Sequence, residues 1–426
     1  MEKYTDMTKE ELREEFANVK AEYAGWCNRN LSLDMSRGKP GPDQMDLSTE
    51  LFEMVNEDLG YKNRDGIDCR NYGGLDGLSE LKALFAHIMD VSSEQVIVGG
   101  NSSLNMMFDT IAQAMTHGLG ADPWMKQEKV KFICPVPGYD RHFAICEYFG
   151  IEMISVDYKA DGPDMDRVEE LVRDPAVKGM WCVPKYSNPD GIVYSDETVK
   201  RIASLKPAAS DFKVMWDNAY AVHYLSDKHD ILLPIYDECK KNNNENMVII
   251  FASTSKITFP GAGVAAEAAS PAIVALLKNR MSFQTIGPDK LNQLRHARLF
   301  CDIDKVHEHM NRHAEILRDK FKIVSDELDS SLSALGIANW SNPNGGYFIS
   351  MFVVDGCAKR TVELCKKAGL VLTSAGAAYP YGIDPHDSNI RIAPTYPLVP
   401  DLKNASALLC TAVKYAVLEK LLADNK

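Results

Sequence analysis

Apolar positions near the start of the chain recur three and four residues apart. Leu12, Phe16, Val19, Tyr23 and Trp26 share one face at helical spacing. Thr8 followed by Glu11 forms a capping box, so the pattern predicts a helix from about residue 8 to 30. The period breaks over residues 33–42, where glycines and prolines predict an irregular segment. Residues 61–77 are glycine-rich and polar, and the amphipathic stretch from Leu78 to Ile88 reads as a second helix. The pattern then changes to short apolar runs at Gln95 to Val98, Val130 to Cys134, Ile151 to Val156, Gly179 to Val183, Lys213 to Trp216 and Met247 to Phe251. Most are separated by enough chain for a helix, which predicts an α/β fold with a mainly parallel sheet flanked by helices. Beyond Ala265 the sequence reads as mostly helical through about Leu328. A strand at Gly346 to Phe352, a helix from about Ala358, a strand at Asn389 to Ala393 and an amphipathic helix from Leu402 to the end suit a smaller α+β unit.

Composition narrows the function classes. At 426 residues the chain exceeds what one hydrophobic core organises, so two domains are expected. The formal net charge of −13 argues against nucleic acid or an anionic membrane as partner, since both select a positive face. Ten scattered cysteines with no Cys-x-x-Cys pair read as free, reduced thiols and point to a cytoplasmic location. The charged N-terminus, Met-Glu-Lys-Tyr-Thr-Asp, lacks the apolar core of a signal peptide, and no apolar run approaches the ~20 residues that span a bilayer.

Sites in parallel sheets lie beyond the strands' carboxyl ends, so those ends carry the chemistry. The first runs Gly99-Gly100-Asn101-Ser102-Ser103 into a helix, an arrangement that either seats a phosphate on amides and hydroxyls or is simply a tight turn. Tyr139 follows the rigid Pro-Val-Pro-Gly turn and either stacks on a planar ring or packs in the core. Asn188, before Pro189, either caps a turn or donates its amide to a ligand oxygen. Asp217 ends an apolar strand, where a carboxylate needs a partner, and Tyr220 follows three residues on. Lys256 ends the Ser253-Thr254-Ser255 stretch; burial there would lower its ammonium pKa toward nucleophilic use, whereas a solvated lysine would be inert. Arg37 and Lys39 around Gly38 are a candidate anion contact, or part of a linker.

The order of these features, with Tyr72, Gly77 and Arg391 in Ser-Asn-Ile-Arg-Ile-Ala-Pro, resembles the pyridoxal-phosphate aminotransferases of fold type I, class I/II, across nearly the whole chain. Ser-Arg-Gly-Lys-Pro, Ser-Lys-Ile-Thr-Phe-Pro-Gly-Ala-Gly and Thr-Ile-Gly-Pro-Asp-Lys-Leu-Asn-Gln-Leu-Arg-His are similar to a divergent bacterial branch of aspartate aminotransferases, which itself resembles MocR-type aminotransferase domains. The resemblance implies a large domain over residues 67–307 with a seven-stranded sheet, and a small domain from both chain ends, 1–66 and 308–426. It implies pyridoxal 5'-phosphate as cofactor, with Lys256 joining its aldehyde and later moving a proton. Asp217 would pair with the ring nitrogen, oriented by His142, and Asn188 and Tyr220 would hold the phenolic oxygen. Gly100, Asn101, Ser102, Ser253 and Ser255 would take the phosphate, together with Tyr72 from a second copy, so a homodimer is implied. Arg391, Gly38 and Asn188 would hold the substrate α-carboxylate, because a guanidinium forks onto a carboxylate where an ammonium cannot.

The implied reaction is ping-pong transfer of an amino group from L-aspartate to 2-oxoglutarate. Arg37 is our candidate for the side-chain carboxylate, with Lys39, Arg141 and Lys290 behind it. One departure stands out: Gly261-Ala262-Gly263-Val264 lacks the family's usual phosphate arginine, leaving Lys290 or Arg295 to supply that charge. Rival readings are an aminotransferase for aromatic, alanine or aminoadipate-type substrates, and a β-lyase. A ligand-sensing regulator domain would need a basic DNA-binding helix that the acidic segment before Tyr72 lacks.

Overall fold

The computed structural model describes residues 3–424. Within them the chain begins with α1 (Lys9–Cys27), closed at its start by the reciprocal Thr8 and Glu11 capping bonds. Next come β1 (Leu33–Asp34), α2 (Pro42–Asp46), α3 (Ser79–Met89), β2 (Val96–Val98), α4 (Ser103–Thr116), β3 (Lys131–Val136), α5 (Asp140–Tyr148), β4 (Glu152–Lys159) and β5 (Gly162–Pro163). The middle holds α6 (Met165–Leu171), β6 (Val177–Cys182), α7 (Asp196–Ala203), β7 (Lys213–Asp217), α8 (Ile235–Lys241), β8 (Val248–Ser253) and β9 (Ala265–Ala269). The chain ends with α9 (Pro271–Gln284), α10 (Lys290–Leu299), α11 (Ile303–Leu332), β10 (Ala338–Trp340), β11 (Ile349–Val353), α12 (Ala358–Lys367), β12 (Leu370–Val371), β13 (Asn389–Ile392) and α13 (Val399–Asp424). The leader reading of Met1 and Glu2 and the last helix's expected run through residues 425 and 426 fall outside the described residues.

The main sheet has strand order β2-β9-β8-β7-β6-β3-β4-β5. Neighbours from β8 through β4 pair parallel, so the carboxyl ends of β8, β7, β6 and β3 emerge along one edge of the sheet. Their residues are apolar on both faces because helices cover both sides. Seven strands make the body of the sheet, as expected, and the two-residue β5 adds an eighth by folding back on β4.

Two expectations need correction. Ala265 to Ala269, read as the start of a helical region, is β9, a strand antiparallel to both β2 and β8. Ala-Ala-Glu-Ala-Ala prefers a helix in isolation, but here all five residues are buried and the two flanking ladders satisfy the backbone. Residues 33–42 are likewise not wholly irregular: β1 pairs parallel with β12, tying the N-terminal segment to the C-terminal part of the chain. That tie is reinforced where α1 packs on α13, with Trp26 Nε1 donating to Thr411 Oγ1 at 3.1 Å, and where Tyr23 of α1 donates to the Leu364 carbonyl of α12 at 2.8 Å. A separate antiparallel sheet, β10-β11-β13, carries Arg391 opposite Ser350.

Candidate active site

The strand ends enclose a cavity of about 220 Å³ lined by Ser102, Tyr139, Asn188, Asp217, Tyr220, Ser253, Ser255 and Lys256. A second lobe, about 840 Å³, shares Leu104, Tyr139, Asn188, Tyr220 and Lys256 with it and adds Arg37, Gly38, Lys39, Asp140, Arg141, Phe348, Thr373 and Arg391. Five strand ends of the main sheet, those of β2, β3, β6, β7 and β8, and the β1, β11, β12 and β13 segments thus converge on one lysine.

In the inner lobe, Asp217 leaves β7 only 2 % exposed. Its Oδ2 lies 3.0 Å from His142 Nε2, and the imidazole stacks on the Trp181 indole at 4.2 Å with 7° between the planes. That stack fixes the ring, so Oδ2 is committed while Oδ1 is buried with no hydrogen-bond partner. A buried acceptor left open is costly unless a donor arrives. Lys256 projects into the same lobe with Nζ 5.0 Å from the Tyr220 ring centroid and 5.9 Å from that of Tyr347. Burial pulls its ammonium pKa down; Asp217 pulls it back up and Arg391 pushes it further down. Burial likewise pushes the Tyr220 phenol well up, so it remains a hydrogen-bond donor near neutrality.

The backbone around Lys256 is pinned from behind. Tyr347 donates to its carbonyl at 3.2 Å, and Gln44 Nε2 donates to the Tyr347 hydroxyl at 2.9 Å. His309 Nε2 sits 2.8 Å from the Ile257 carbonyl and His296 Nε2 2.8 Å from Thr258 Oγ1. Burial lowers the pKa of His296 to about 4 and that of His313, which touches His309 at 3.1 Å, to about 3.

The small hydroxyls meet at the start of α4. Ser102 caps the helix by accepting from the Leu104 amide at 3.2 Å, and Ser253 donates to Ser255 at 3.1 Å. Gly100 and Asn101 stand just outside the inner lobe, lining a neighbouring cavity of about 270 Å³ with Glu267 and Arg280. They still bind the lysine segment, since Asn101's carbonyl accepts from Ser255 Oγ at 3.4 Å and Gly100's accepts from the Ala265 amide at 2.8 Å.

Of the other sequence candidates, Tyr72 is 82 % exposed and lies outside both lobes of its own chain. Lys290 is not free to supply charge in the lysine lobe, because its Nζ donates to the Gly73 carbonyl at 2.6 Å and thereby ties down the loop that carries Tyr72. Neither Lys290 nor Arg295 lines either lobe, which corrects the expectation that one of them replaces the missing arginine within the same chain. At the outer lobe, Arg37 and Arg141 are exposed, and the Lys39 ammonium rests 3.8 Å over the Tyr396 ring. Gly38 is required by packing: a Cβ there would come 2.3 Å from Phe348 Cζ, and the Arg391 guanidinium lies 5.0 Å over the centroid of that same ring.

Four residues of the site carried no signal in the sequence. Trp181 reads as one more core residue of β6, and Phe348, Thr373 and Tyr347 sit in segments without a motif. The pair His309 and His313, four apart on one helix face, was visible as spacing alone.

The residues present fit an anionic, planar, electrophilic cofactor: hydroxyls at a helix start for a phosphate, Tyr139 beside the cavity for stacking, an amine, and an open carboxylate oxygen awaiting a ring N–H. Comparison with known proteins agrees. The family model described as aspartate amino-transferase matches residues 7–425. An aspartate aminotransferase of Corynebacterium glutamicum is 46% identical over 404 residues, covering 94% of this chain and 93% of that one. The crystal structure of an aspartate transaminase from Corynebacterium glutamicum superposes with a TM-score of 0.95 at 45% identity, covering 97% of this chain and 98% of the other. The α-aminoadipate aminotransferase of Thermus thermophilus, at 19% identity and a TM-score of 0.74 over 94% of this chain and 98% of its own, shares the fold.

Proposed function

Since the chain belongs to the aspartate aminotransferase family, whose fold type I members work with pyridoxal 5'-phosphate, we propose that it transfers the amino group of L-aspartate to 2-oxoglutarate in a ping-pong cycle. The observation that carries this reading is the buried lobe holding the Lys256 amine and the open Oδ1 of Asp217, with Arg391 at its mouth. When bound, the cofactor supplies an aldehyde that captures amines and a protonated ring that accepts the electrons left at Cα.

The side chains then divide the work. Asp217, held through Oδ2 by His142, has Oδ1 open and would use it to hold the cofactor's ring N–H. Ser102, Ser253 and Ser255, with the amides at the start of α4, hold the phosphate, and Gly100 and Asn101 support this seat from behind. Tyr139 would stack on the ring, while Asn188 and Tyr220 would donate to its phenolic oxygen. Lys256, its pKa lowered by burial, would move the proton at the substrate Cα. Arg391 grips the α-carboxylate with help from Asn188 and the Gly38 backbone, and Arg37 receives the side-chain carboxylate.

We further propose domains over 67–307 and over 1–66 with 308–426, and a homodimer in which Tyr72 reaches the partner's phosphate seat. Support for the dimer comes from the exposed apolar Tyr72, Phe283 and Ile286. The Ile286–Gly287 turn abuts the Tyr72 loop, since a Cβ on Gly287 would lie 2.7 Å from the Gly73 carbonyl.

The test is an absorbance spectrum of the purified protein loaded with pyridoxal phosphate, followed by titration with L-aspartate. A yellow band that bleaches as oxaloacetate appears, stoichiometrically without acceptor and catalytically with 2-oxoglutarate, is expected. Borohydride should fix the cofactor to Lys256 and leave Lys256→Ala unlabelled. Pyruvate released catalytically without acceptor would identify a lyase instead, and a colourless, unlabelled protein would end the proposal.

A further inference from the structure

Arg391 meets its substrate with three of its N–H donors already engaged. A guanidinium has five N–H donors, two on each Nη and one on Nε. Here Nη1 donates to Asp140 Oδ1 at 3.0 Å and to Asn188 Oδ1 at 3.3 Å, and Nη2 donates to Thr373 Oγ1 at 3.3 Å. Nε is buried without a partner. Because Nε has no accessible surface, a carboxylate arriving from the outer lobe reaches this side chain through its Nη edge, and part of that edge is held by Asp140.

Asp140 suits temporary occupancy. It is the first residue of α5, where the helix terminus favours a negative charge, and its side chain is 34% exposed against 8% for Arg391. A buried guanidinium without a counter-ion would be costly, so the empty site benefits from the pair. When a substrate replaces it, the Asp140 carboxylate can turn to water and is not left stranded. Resting on the proposed role of Arg391, we infer that Asp140 is a resident counter-ion that the substrate carboxylate must displace, which makes it a determinant of substrate affinity. By holding the guanidinium between turnovers it also resists weakly bound monoanions.

The inference fixes the sign of a mutation. If Asp140 competes, removing its charge tightens carboxylate binding; if it merely braces Arg391, the same change loosens it. Calorimetric titration of the cofactor-loaded enzyme with succinate and with propionate, both unreactive, reads this directly. Asp140→Asn and Asp140→Ala should each bind both probes roughly fivefold more tightly, the gain expected from deleting a partly exposed ion pair. KM for the amino donor should fall by a similar factor while kcat moves less than about twofold, since only a competitor of the bound state has been removed.

Unchanged or weaker binding in both variants overturns the inference. Tightening by asparagine alone also overturns it, because the new amide would then be donating to the probe. Should Asp140→Ala fail to fold, Asp140→Leu, equally uncharged and without a donor, takes its place beside Asp140→Asn. Arg391→Lys tests the parent reading separately: if succinate and propionate bind it as tightly as wild type, Arg391 is not the carboxylate site and the proposed function fails, whatever Asp140 does.

Discussion

Around Asp217 and Lys256 the carboxylate, its histidine and the lysine backbone are each held by a neighbour, with one carboxylate oxygen left open, whereas around Arg391 cations and a carboxylate share a mouth lined by exposed side chains. The inner lobe is made from strand ends, with Trp181 beneath His142, His142 beneath Asp217, and Tyr347 holding the Lys256 carbonyl. The outer lobe is assembled from segments far apart in sequence, and its Arg37 and Arg141 are exposed. Chemistry that must be the same in every turnover is built on the rigid side. Recognition of a substrate that enters and leaves is built on the exposed side.

That contrast can be tested by perturbing each side, and the largest effect belongs to the inner lobe. Asp217→Asn should lower kcat by about 10²–10³, the usual cost of removing one preorganised electrostatic partner, while cofactor still binds. Single-turnover bleaching with L-aspartate measures this; a rate within a factor of a few of wild type would place the ring nitrogen elsewhere.

Next in size is acid sensitivity. His296 and His313 are held down to about 4 and about 3 by burial, against an ordinary value of 6.5. The unfolded chain therefore takes up protons first, so the stability these residues contribute is present above pH 6.5 and is lost as pH falls through 4 and 3. Each histidine should cost about 1.4 kcal/mol for every pH unit inside its window. Unfolding midpoints should drop progressively below pH 6.5, with a shallower slope in His313→Gln. A slope identical to wild type would remove the imidazoles from the account of acid lability.

The smallest change is at the mouth. Arg37→Ala should weaken aspartate turnover by roughly fivefold, as for an exposed ion pair, and leave alanine nearly untouched. Equal losses for the two amino acids, measured as kcat/KM, would assign the second carboxylate to Arg141 or Lys39.

How much of this was readable in the sequence follows from the same contrast. Lys256, Asp217, Asn188 and Tyr139 lie at or within six residues of their strands' ends, so a local pattern named them as candidates and the resemblance gave them roles. Arg391 had meaning only through resemblance, because an alternating strand says nothing about which cavity a side chain enters. Its partners Asp140 and Thr373 lie 251 and 18 positions away in sequence, a pairing no local signal encodes. β9 was missed for a different reason: its alanines favour a helix by propensity, and only the two flanking strands override that preference. Lys290 was misassigned because its charge was legible and its tether to Gly73 was not.

Those alanines also act as a spacer. On the α4 side of β9, Ala265 and Ala269 offer only methyl groups on either side of Glu267, which accepts from Thr110 Oγ1 of that helix at 3.1 Å, so α4 and the Ser102 at its start rest against the sheet beside β8. Bulkier residues in that strand would lift the helix and widen the hydroxyl cup, loosening its hold on an anion without altering any group that touches it.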